Sequence, residues 1–249
     1  MSLSYVTHCA AIERETHRMV RVVSGADPTT AVPTCPDWNL AALMRHTGSL
    51  QRWFTVLLRD RVRERPARPT AVPDVPTDPS AYPRWLTEGA AAAGAVLRVT
   101  DPDTPMWAWG PDQHARFWAR RMLFETLVHR ADAELALSLP VDIDPVLAAD
   151  GVDEFLTNLP SAAAFAPQVA GLRGADEVIR FECVDLDRQW AVRLRPDGFG
   201  LDPDAASAHA TVRADAAELL LFVYGRRDNT VTRSGDAALL SRWSANSRF

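Results

Sequence analysis

The hydrophobic pattern of this chain changes period once. Up to about residue 160 apolar side chains recur every three to four positions, and from about residue 176 they alternate. The first period buries one face of a helix and the second buries one face of a sheet, so no single layer accounts for the whole chain. The sequence therefore predicts an all-helical part, residues 1–160, followed by a small α+β part, residues 161–249, with the change inside SAAAFAPQVAGLRG. With 249 residues, 47% of them hydrophobic, each part can hold a core.

Four long helices are expected, over about 3–24, 40–59, 81–98 and 114–137, and they can pack as a bundle. Asn39 is a good N-cap for the second, and Ser24-Gly25-Ala26-Asp27-Pro28 is a stop for the first. The proline-dense RPARPTAVPDVPTDPSAYP has no period and reads as a loop. A shorter fifth helix is expected across PVLAADGVDEFLTNL. Beyond it, DEVIRFECVD, RQWAVRLRPDGFGLD and AHATVRAD read as strands of an antiparallel meander, and AAELLLFVYG and DAALLSRWS as short helices.

Charge argues against nucleic acid. The net charge is −5, and all 27 basic residues are arginine, interleaved with acids and forming no basic stripe. No apolar run is long enough for a membrane span, and the N-terminus has no apolar signal core, so a cytoplasmic protein with no membrane partner is expected. The 3 cysteines are far apart and form no CxxC, which fits a reduced compartment.

The fourth predicted helix carries polar residues where an apolar stripe should continue. Positions 118, 122, 125, 129, 132 and 136 share one side and read Trp118, Met122, Glu125, His129, Asp132 and Ala136. On the second helix His46 lies in register with Leu43, Leu50 and Trp53. Taken one at a time, such residues are commonly a semi-buried ion pair or a satisfied core histidine. Together, two imidazoles and a carboxylate from two bundle helices match the ligand set of a catalytic divalent-metal site. Zinc suits the set, as would iron(II), nickel or manganese. Asp132 reads equally as a residue orienting a ligand histidine or as a surface carboxylate paired with Arg121 or Arg130.

Several blocks resemble a known family. VPTCPDWNLAALMRHTGSLQRW, FWARRMLFETLVHRADAELA, LAADGVDEFLTNL, RQWAVRLRPDGFGL, ELLLFVYGRR and SGDAALLSRW are similar to recurrent blocks of the mycothiol-dependent maleylpyruvate isomerase family. The resemblance implies a DinB-like four-helix bundle and a small sterol-carrier-like α+β domain built on an antiparallel sheet. It assigns the metal to His46, Glu125 and His129, a catalytic part to Asp132, and thiol or substrate binding to Arg226, which has Arg227 beside it. It also implies two small-molecule partners, a low-molecular-weight thiol (mycothiol) as cofactor and an unsaturated acid. The expected reaction is cis–trans isomerisation by reversible thiol addition. S-transfer that leaves sulfur on the product is an alternative, as is a non-catalytic binding or regulatory protein of the same fold. The MWAWGPDQ loop, with Trp107 and Trp109, reads as a cover for the site or as an aromatic anchor. Cys35 is discounted as a nucleophile, since no adjacent basic residue lowers its pKa.

Overall fold

The structure, a computed structural model, describes residues 3–66 and 74–248. Part of the proline-dense loop, residues 67–73, lies outside the described residues. The chain divides into two compact units. The first comprises Leu3–Ala108 and Asp112–Val141; the second comprises Trp109–Pro111 and the chain from Asp142 onward.

In the first unit the four helices are α1 (Tyr5–Val23), α2 (Leu40–Asp60), α3 (Tyr82–Val99) and α4 (Ala115–Ala136). Their starts follow from local chemistry. Ser4 accepts a hydrogen bond from the Thr7 amide and Asn39 accepts one from the Ala42 amide, which satisfies amides that a helix start leaves unpaired. Around the bundle, α1 packs on α3 and α4, and α2 packs on the same two. Consecutive helices α1 and α2 are therefore diagonal, and α4 runs between them. α4 is buried nearly all round, including Arg121, His129, Arg130, Asp132 and Glu134. One apolar layer gathers Met19, Val23, Leu40, Leu43, Tyr82, Trp85 and Leu86 from three helices.

The second unit contains α5 (Pro145–Asn158), five strands and the helices α6 (Ala216–Val223) and α7 (Ala237–Asn246). The strands are β1 (Val178–Cys183), β2 (Gln189–Arg195), β3 (Gly198–Leu201), β4 (Ala210–Ala214) and β5 (Thr232–Gly235), in the order β3-β2-β1-β4-β5. Alternation places Ile179 and Phe181 of β1 beside Val192 and Trp190 of β2 and beside Ala210 and Val212 of β4. Phe222 of α6 and Trp243 of α7 pack on Phe181, with ring centroids 6.4 and 5.0 Å away.

Three expectations need correction. The sheet is mixed: β1, β2 and β3 form the expected antiparallel meander, but β4 runs parallel to β1 on its other side. Period-two patterning fixes which face a strand buries, and leaves its neighbour and direction open. The edge strand β5 has no counterpart in the sequence reading, because all four of its residues are exposed. Finally, α5 belongs to the second unit, where it packs on α6, so the division falls after Val141 and well before residue 160.

Candidate metal centre

Two adjacent helices bring the three candidate ligands together. His46 comes from α2, and Glu125 and His129 lie one turn apart on α4. One donor atom from each lies within 4.8 Å of the other two. Glu125 Oε2 faces His129 Nε2 at 3.4 Å, and the two imidazoles meet edge-on with centroids 4.9 Å apart. His129 is buried, whereas His46 and Glu125 are half-buried, so one side of the cluster can be reached from solvent.

The surroundings fix which atoms face the cluster. Arg121 Nη2 donates to Glu125 Oε1 at 3.0 Å, leaving Oε2 toward the histidine. Burial opposes a charge on Glu125, but Arg121, His129 and His46 outweigh it and hold the carboxyl well below the usual carboxylate range. Burial also opposes a charged His129, while hydrogen bonds with Asp132, Cys35 and Glu125 push its pKa well above the ordinary value.

Asp132 is fully buried and sits 2.9 Å from His129 Nδ1 through Oδ2. Its other neighbours are Thr34, whose hydroxyl donates to Oδ1 at 2.6 Å, and Cys35, whose thiol donates to Oδ2 at 3.4 Å. This carboxylate lies inside the bundle and not on the helix surface; Arg121 pairs with Glu125, and Arg130 pairs with Glu15 and Glu134. Neither Thr34 nor Trp38 was among the candidate residues. Trp38 covers both imidazoles, its ring centroid 4.8 Å from His46 and 6.0 Å from His129. The TCPDW block, similar to a recurrent element of the family, was the only sequence signal for them, and it carries no contact information.

A second triplet, Cys35, His129 and Asp132, also has donor atoms close enough for one cation. A cation there would displace the hydrogen bonds that Asp132 receives from Cys35 and His129. The His46, Glu125 and His129 set leaves those bonds intact and uses the opposite nitrogen of His129, so it fits a divalent ion better. Two nitrogens and one carboxylate oxygen are a zinc-type donor set that leaves a coordination position open.

Arg226 belongs to the second unit, just after α6, and its Nη1 donates to the Tyr224 carbonyl at 2.9 Å. Its neighbour Arg227 is tied to Glu218, 2.6 Å away. The tryptophan loop anchors aromatic clusters. Trp107 packs on Trp53 and Trp118, with centroids 6.3 and 5.5 Å away, and Trp109 packs on Phe165 at 5.2 Å.

Comparison with known proteins adds the following. Residues 9–134 match the family model described as the mycothiol maleylpyruvate isomerase N-terminal domain, and residues 146–242 match that of the MDMPI C-terminal domain. Among solved structures, the mycothiol-dependent maleylpyruvate isomerase is similar in fold, with TM-score 0.64, 15% identity, 99% of this chain and 98% of that one covered. A histidine-to-alanine mutant of that isomerase matches with TM-score 0.66 at 15% identity, again over 99% and 98% of the two chains. No curated protein matches the sequence.

Proposed function

The chain belongs to the mycothiol maleylpyruvate isomerase family, and from that premise we propose a metal-dependent enzyme that uses mycothiol to turn a cis unsaturated acid into its trans isomer. The observation that supports this reading is the meeting of His46, Glu125 and His129 at one half-buried place in the bundle. When bound there, a divalent cation, zinc by its donor set, supplies the Lewis acidity that keeps a thiol ionised near neutral pH as a nucleophile for a conjugated double bond.

The chain's own residues have separable tasks. His46, Glu125 and His129 supply the ligands. Arg121 keeps Glu125 anionic and turns one of its oxygens away from the cluster. Asp132 holds His129 through Nδ1, so that Nε2 is the nitrogen offered. Trp38 shields the imidazoles from water on one side. Arg226 is assigned to a carboxylate of substrate or thiol, which a planar guanidinium matches in two-point fashion.

The test is to incubate zinc-loaded protein with mycothiol and maleylpyruvate and to follow double-bond geometry and sulfur content of the product. Isomerisation without net thiol consumption, lost in Glu125→Gln and His129→Ala, is the expected result. A product that keeps the sulfur indicates S-transfer by the same ligand set. Failure of the metal-loaded protein to accelerate either reaction contradicts the enzyme reading and leaves a binding or regulatory protein.

A further inference from the structure

The nine residues 31–39 form a braced loop ahead of α2. Ala31 and Asn39 form an isolated bridge, the Val32 amide donates to Trp38 O at 2.9 Å, and the Cys35 and Trp38 amides donate to Val32 O and Cys35 O, each at 3.0 Å. Asp37 takes a left-handed conformation, φ 67°, which Asp tolerates better than most residues. These bonds hold Thr34 and Cys35 opposite Asp132, a residue 98 and 97 positions away in sequence.

We infer that Thr34 and Cys35 are positioning residues of the metal centre, acting through Asp132 to fix the His129 imidazole. This rests on the metal-centre reading above. A buried carboxylate with one donor can turn about its Cβ–Cγ bond and carry its partner with it. Here the Thr34 hydroxyl pins Oδ1, and that leaves Oδ2 aimed at His129 Nδ1. The Cys35 thiol, a weaker donor, adds a second contact on Oδ2. With Nδ1 held, the ring plane is set and Nε2 is directed to the place where Glu125 and His46 converge. Neither Thr34 nor Cys35 needs to touch the cation or a substrate for this role.

Cobalt(II) titration with a competing chelator, read by visible d–d absorption, tests the inference without any activity assay. Outer hydrogen-bond partners of ligand histidines are typically worth about 10–100-fold in metal affinity. Thr34→Val, which keeps the shape and loses the hydroxyl, should weaken cobalt binding about tenfold or more and alter the band. Thr34→Ser should restore both. Cys35→Ala should weaken binding less, by roughly a few-fold as befits a thiol donor, and it tests the same carboxylate independently if Thr34→Val does not fold. Unchanged affinity and spectrum in Thr34→Val and Cys35→Ala overturn the inference while leaving the metal centre standing. Absence of cobalt binding in the unmodified protein overturns the metal-centre reading and this inference with it.

Discussion

Arg130 is fully buried on α4, with Nε 2.8 Å from Glu15 Oε2 of α1 and its Nη1 on Glu134. Truncating it would leave two buried carboxylates without their shared cation, which costs about 3–5 kcal/mol when one partner of a buried pair is removed. Arg130→Ala should therefore lower the urea midpoint sharply, while Arg84→Ala, an exposed i,i+4 partner of Glu88, should leave it nearly unchanged. Cys183 offers a second test at this scale. Burial and the neighbouring Asp185 push its thiol up to about 11, so it stays protonated and should alkylate slowly at pH 8 in folded protein, faster as pH approaches 11. Fast alkylation of Cys183 at pH 8 in the folded state would contradict that environment. Legibility was uneven among residues. The nearness of Glu125 and His129 was readable because a helix puts positions four apart on one face, and the partners of Asp132 were not, because contacts nearly a hundred residues apart leave no local pattern. Arg121 and Arg130 were both read as possible partners of Asp132, although helical rotation aims them at other carboxylates.

Among the elements, α2 and α3 approach closely at Gly48, two residues after His46. A Cβ at that position would lie 2.2 Å from Cζ3 of Trp85, whose indole is buried and capped by Arg52 at 4.0 Å. Gly48→Ala should gain helix propensity yet lose stability overall, by about 1–3 kcal/mol from overpacking. It should also reduce metal affinity if the shift in α2 reaches His46, and a stabilised Gly48→Ala in thermal melting would contradict the close packing. The helices were readable to within a residue or two, because Ser4, Asn39 and the Asp144-Pro145 pair begin three of them. Strand β5 and the parallel β1–β4 pairing were not, since exposed TRSG shows no alternation and pairing depends on tertiary packing.

For the whole molecule, a cation held at the proposed centre would couple ligand binding to stability. A cation that binds only the folded chain stabilises it by about 2.7 kcal/mol when its free concentration is a hundred times the Kd. Zinc should accordingly raise the melting temperature of the protein and leave that of His46→Ala unmoved. Among the described residues no helix is long and apolar enough to cross a membrane. Two units were legible from the change of period, but not where they divide, because the apolar face of α5 does not announce that its partner is α6. The most direct measurement is elemental analysis of the purified protein beside His129→Ala. A metal centre at His46, Glu125 and His129 predicts close to one equivalent of zinc in the former and loss of it in the variant. Absence of bound metal from both, even after incubation with zinc, iron(II), nickel and manganese, would contradict it.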